Sequence, residues 1–218
     1  MFTRIRVLLA HEIKSEWKQR YAVFGLLLFV LSTVYVSYLA FQGSLEPRTW
    51  NALLWIILLL ASVNAATGSF HKETHGRYWL FYQITDPRSI ILSKTIYNML
   101  LMWLLALLAW FCFILFLGNP VVNSPLYLAA LLLGSSGFAG TLSVMSSISA
   151  RTQQNTALLA ILSIPIILPL FLVSLTLSNA ALLGLSYELW WRSLLVIVLL
   201  NAVTLLLSYL LFPYLWRD

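Results

Sequence analysis

Residues Ser89–Leu117 read SIILSKTIYNMLLMWLLALLAWFCFILFL, an apolar run interrupted by a single charge, Lys94. About 20 such residues suffice for a helix to cross the hydrocarbon core of a bilayer, so this run predicts a transmembrane helix with residues to spare. Five more runs of the same kind lie at Ala22–Phe41, Trp50–Ser69, Pro125–Ser147, Thr156–Thr176 and Ser193–Tyr214. The expected fold class is an all-α integral membrane protein with six transmembrane helices. Composition agrees: of 218 residues 61% are apolar and 9% charged, whereas a soluble domain carries roughly 25% charged residues. A mean hydropathy of +0.90 excludes a soluble globular protein. The mass of 24.8 kDa leaves room for one membrane domain, residues 21–218, and little else.

The positions of the cations set the orientation. Arg4, Arg6, Lys14, Lys18, Arg20, Lys72, Arg77, Arg88, Lys94, Arg151 and Arg217 fall on one side of the six runs, and only Arg48 and Arg192 on the other. Cytoplasmic loops carry the excess of Lys and Arg, which puts both termini and the second and fourth connections in the cytoplasm. The net charge of +6 then answers to anionic inner-leaflet lipid and implies no nucleic acid. Lys94 lies near the inner end of its run, from which it is expected to snorkel to the interface. Trp50, Tyr187, Trp190 and Trp191 at the outer ends, with Tyr21, Trp79, Tyr214 and Trp216 at the inner ends, match the aromatic belts of membrane proteins. The first run exceeds the 7–15 apolar residues of a signal peptide and no small-x-small site follows it, so it is read as retained.

Two cytoplasmic segments stand out. Residues 1–20 place Phe2, Ile5, Leu9, Ile13 and Trp17 on one helical face and Arg4, His11, Lys14 and Lys18 on the other, the pattern of an amphipathic helix lying on the membrane. A plain basic anchor fits the same residues. Residues 70–88 join a charged half, His71 to Arg77, to an aromatic half, Tyr78 to Tyr82. Asp86 and Pro87 then read as a cap and first residue of the next helix. A rigid element joined directly to two spans is suited to transmit a push; a solvated loop with aromatic anchors is the equal alternative.

Motifs for chemistry are weak. His71 and His75 are one helical turn apart, but Glu73 stands two residues after His71 rather than directly after it as in the HExxH zinc motif, and no third ligand is evident; no metal site is assigned. Gly134-Ser135-Ser136-Gly137 fits the GxSG pattern of rhomboid proteases, making an intramembrane serine protease a remote alternative. Ser136 would need a nearby base, and His11, His71 and His75 all fall on the cytoplasmic side. Gly134, Gly137 and Thr141 at i, i+3 and i+7 instead form a small-residue stripe suited to close helix packing. The lone Cys112 builds no disulfide or CxxC pair and reads as packing. No Asp or Glu lies deep in a run, which disfavours proton coupling, and no GxxxxGK[ST] P-loop is present. The chain has no catalytic residues or cofactor of its own in this reading, and ATP-driven work requires a partner.

Phe70, Glu73 and Gly76, then Asp86-Pro87 and Lys94, Leu132-Leu133-Gly134 with Gly137-Phe138, and Pro165-Ile166-Ile167-Leu168-Pro169 together resemble the CcmB, or haem exporter protein B, family of ABC transporter permeases. The resemblance is strongest from Phe70 to Leu172, and the PxxxP of the fifth run is its most specific piece. Each proline removes a backbone donor and should bend its helix, as a hinge or for packing alone. The resemblance implies an ABC exporter-type permease of the cell inner membrane acting in cytochrome c maturation, either in haem export or in ATP-driven release of a haem-loaded chaperone. It implies a separate ATPase similar to CcmA that binds the ATP, a CcmC-like haem-handling membrane protein and a second permease copy. Phe70, Glu73, Gly76, Arg77, Asp86 and Pro87 would couple to the ATPase, and Gly134, Gly137, Pro165 and Pro169 would serve packing and bending. Trp190-Trp191-Arg192 lacks the context of a tryptophan-rich haem segment, and the outer side has no histidine. A generic exporter of lipid, glycan or drug is the alternative.

Overall fold

The computed structural model describes residues 8–9, 13, 20–41, 45–71, 87–151 and 156–215. Six long helices account for almost all of them: α1 (Arg20–Phe41), α2 (Pro47–His71), α3 (Pro87–Leu117), α4 (Ser124–Arg151), α5 (Thr156–Leu183) and α6 (Tyr187–Leu215). Each contains a segment long and apolar enough to span a bilayer, and the chain is a multi-pass membrane protein. With no water in the hydrocarbon, every backbone donor and acceptor must be satisfied within the protein, and a helix does this locally. At 1.5 Å per residue the 31 residues of α3 measure roughly 46 Å, so α3 projects past the roughly 30 Å hydrocarbon core.

The bundle is built around α4. In its spanning window 78% of residues are buried, against 11% for α1 and 22% for α6. Helices α2, α3, α5 and α6 all pack on α4, while α1 sits outside against α2 and α3. Val30 and Val34 on the inner face of α1 join a core continuous through Leu54, Leu58, Leu105, Phe113, Leu131, Phe138 and Leu170.

Helix ends are fixed by local chemistry. Gly118 and Gly184 have φ of 79° and 63°, left-handed conformations that favour glycine and end helices. The Gly118 amide donates to Ile114 O at 3.1 Å, and the Leu185 amide to Ala180 O at 3.0 Å, closing α3 and α5. Asn123 caps α4, its Oδ1 accepting from the Leu126 amide at 3.2 Å. Pro47 occupies the first position of α2, where its missing donor costs nothing.

Of the helices that outrun the apolar runs announcing them, α5 and α6 do so by the most. α5 continues seven residues beyond Thr176 to Leu183, and α6 starts at Tyr187, six before Ser193. Ser178 and Asn179 break the hydropathy pattern, yet Ser178 is fully buried. Lys94 is 5% exposed and Trp50 1%; neither behaves as the interfacial residue expected of it. Tyr187 is 65% exposed and Trp190 and Trp191 half-buried, as belt residues should be. The interfacial helix expected over residues 1–20 lies outside the described residues except at Leu8, Leu9, Ile13 and Arg20. Orientation is testable in a Cys112→Ala background. Ser186→Cys, exposed in the turn between α5 and α6, should react with an impermeant maleimide on intact cells, whereas Gln153→Cys should react only after permeabilisation; the reverse pattern would invert the topology.

Candidate functional site

The residues proposed for coupling divide between two helix ends and the segment between them. Phe70 lies in the last turn of α2 and Pro87 is the first residue of α3, so the segment is tied at both ends to spans packed on α4. Glu73, Gly76, Arg77 and Asp86 lie outside the described residues.

The glycines of α4 are in the centre of the bundle. A Cβ at Gly134 would lie 2.3 Å from Trp55 Cη2 and 2.8 Å from Ser174 Oγ, and one at Gly137 would lie 2.6 Å from a Leu170 methyl. Gly134 therefore admits α2 and α5 at once, and Gly137 admits α5. Trp55 cannot swing away. Its Nε1 donates to Ser178 Oγ at 2.8 Å, and its ring packs edge-on against Phe138 at 5.9 Å. Phe138 in turn stacks on Phe171 of α5.

Ser178 is the node of a polar knot near the outer end. Asn51 Nδ2 donates to Ser178 Oγ at 2.8 Å and to Asn179 Oδ1 at 3.0 Å. Tyr127 Oη donates to Asn51 Oδ1 at 3.0 Å, and Ser178 Oγ donates to Leu175 O at 3.1 Å. A hydroxyl has one proton and two lone pairs, so Ser178 is saturated. Trp50 packs edge-on against Phe113 and Tyr127, and Trp110 stacks on Tyr127. The knot joins α2, α4 and α5, with α3 supplying aromatic walls. Sequence reading missed it because Asn51 sits at the margin of its apolar run and Ser178 and Asn179 lie beyond theirs. The available signal was their shared level at the outer ends of antiparallel spans.

Towards the other end of the bundle, Asn98 Nδ2 donates to Ser143 Oγ at 2.8 Å across α3 and α4. Asn201 Nδ2 ties α6 to α4 through Leu133 O at 3.1 Å. The hydroxyls of Ser146, Ser147 and Ser208 donate to carbonyls of their own helices. Ser136, the residue of the protease alternative, does the same, donating to Leu132 O at 2.6 Å and Leu133 O at 3.1 Å. That hydroxyl stitches its own helix and gives a serine nucleophile no support. Pro165 and Pro169 lie within α5 and are exposed on the bundle's outer surface, beside exposed Ile164, Leu168 and Leu172. The helix continues through both.

These contacts predict contrasting glycine effects. Gly134→Ala, which meets a pinned indole, should destabilise by about 1–3 kcal/mol through overpacking. Gly25→Ala on exposed α1, with nothing within 4 Å of the added carbon, should be neutral or stabilising by up to about 1 kcal/mol. Ser178→Ala strands the Trp55 donor and one Asn51 donor, at about 1–3 kcal/mol for each group left unsatisfied. Apparent melting temperatures in detergent check all three; equal values for the two glycine variants would show that the packing at Gly134 is not as tight as drawn.

No curated protein matched the chain. The family model described as CcmB protein matches residues 3–214 of the 218, a stretch that takes in all six spans, the α4 glycines and the PxxxP of α5. With so nearly complete a match, the chain belongs to the CcmB family, whose members are membrane transport components of the ABC system for haem export and cytochrome c maturation.

Proposed function

We propose that the chain is the permease subunit of an ATP-driven complex in the cell inner membrane, energised by a separate CcmA-like ATPase. The ATPase docks on residues 70–88, and its closure is passed to α2 and α3. The observation that carries this reading is the attachment of that segment: it is bracketed by the last turn of α2 and the first residue of α3, and both helices pack on the central α4. A force applied between their inner ends therefore acts on the whole bundle. Phe70, Glu73, Gly76, Arg77, Asp86 and Pro87 form the docking element in this proposal. The chain contributes no bound cofactor and no catalytic step; ATP is held by the partner. A second copy of the permease and a CcmC-like haem-handling protein complete the complex, which acts in haem export or in release of a haem-loaded chaperone. Family membership supports this assignment, as does the sided distribution of cations, which directs the segment to the cytoplasm.

Purification of the tagged protein in mild detergent, with mass spectrometry of its stable partners, tests the proposal. An ABC ATPase together with a tryptophan-rich haem protein is the expected outcome. An ATPase without haem-handling partners would move the assignment to a generic exporter of lipid, glycan or drug, and repeated absence of any ATPase would overturn it. Replacing Glu73 and Gly76 together should reduce recovery of the ATPase at least tenfold while the permease itself still folds and purifies; unchanged recovery and activity would refute the docking assignment.

A further inference from the structure

We infer that the outer third of α2, α4 and α5 is a permanent seal, so that no cargo passes between these spans within one chain and any movement in the cycle is a parting of the inner ends about this fixed point. The inference rests on the proposed ATP-driven cycle. A polar knot and a two-contact clasp between turns meet at the outer end. The Asn51–Ser178–Tyr127–Trp55 knot crosses all three helices, and Asn51 and Ser178 at its centre are fully buried. Two outer turns are joined by the Asn123 amide, which donates to Ala181 O at 2.9 Å. Val122 lies against Gly184, its Cβ 3.6 Å from the position a Cβ would take there. Trp55 is further held over Gly134, so α2 cannot slide on α4 without lifting an indole that is bound at its nitrogen and packed at its face.

In the inner half Asn98 Nδ2 ties α3 to α4 through Ser143 Oγ, and other hydroxyls turn back on their own helices. Ser146, Ser147 and Ser208 are buried, but each donates to a carbonyl of its own helix. Separating those helices strands none of these three hydroxyls, whereas separating α2 from α5 at the outer end strands the Asn51 Nδ2 and Trp55 Nε1 donors together, while Ser178 Oγ keeps its bond to Leu175 O. Buried polar groups left without partners are costly, and the network between α2 and α5 therefore assigns stillness to the outer end and leaves motion to the inner ends.

A disulfide tests the seal directly. Cβ atoms of bridged cysteines lie about 3.5–4.5 Å apart, so Val122→Cys with Gly184→Cys in a Cys112→Ala background should cross-link. In the complex with its ATPase, the oxidised protein should keep nucleotide-dependent activity within about twofold of the reduced protein. A loss of more than tenfold on oxidation, regained on reduction, would overturn the seal. Gly184 has a positive φ and cysteine there is strained, so hydrogen exchange on the unmodified protein is the second measurement. Peptides covering residues 47–58, 119–131 and 173–186 should exchange equally in nucleotide-free and ATP-trapped complexes, while peptides covering 60–71 and 87–99 change. Nucleotide-dependent deprotection of the outer peptides would overturn the inference. In the purified permease alone the outer peptides should exchange at least tenfold more slowly than the inner ones, and uniform exchange would again overturn it. Absence of an ATPase partner, in contrast, would count against the permease reading and leave this last comparison standing on its own.

Discussion

The indole of Trp55 lies over the missing side chain of Gly134 and donates to Ser178, and the arrangement of the three central helices depends on that contact. Without a Cβ at residue 134, α2 and α5 both come close to α4. Between spans there is little hydrophobic gain in association, because lipid is as apolar as leucine; close packing and hydrogen bonds hold helices together instead. A large planar ring inserted over a glycine supplies the packing, and its single donor, bound to the Ser178 hydroxyl, fixes the register. Phe138 and Phe171 extend the same layer.

From this contact the polar groups of the bundle sort by depth. At the outer end asparagine, serine and tyrosine from three helices satisfy one another, with two capped turns clasped above them. Further in, several hydroxyls fold back on their own carbonyls, and Asn98 and Asn201 reach across to α4. Lys94, nearly fully buried, places a charge among the inner ends of the spans, where ionisable groups are rare and usually have a task.

Membership of the CcmB family makes the chain a membrane component of the ABC system for haem export and cytochrome c maturation. The spans at either end of the 70–88 segment both rest on α4. The prolines of α5 are exposed, so the PxxxP on which the resemblance rested most lies on a surface of the bundle rather than at its centre.

Sequence alone determined the six spans and the family resemblance, because hydropathy adds up along a segment and needs no partner. It also marked Gly134 and Gly137 as small positions, but not that one would receive a tryptophan from α2 and the other a leucine from α5. Trp50 read as a belt residue and Lys94 as a snorkelling one, and burial reversed both readings; Ser178, beyond the apolar run, is buried as well. The partners that make such burial tolerable lie 123 to 128 residues away for Ser178 and Asn179 and 76 residues away for Tyr127 and Asn51. Only tertiary structure decides those pairings, since a polar side chain's cost in a membrane depends on what packs beside it and not on its neighbours in the chain.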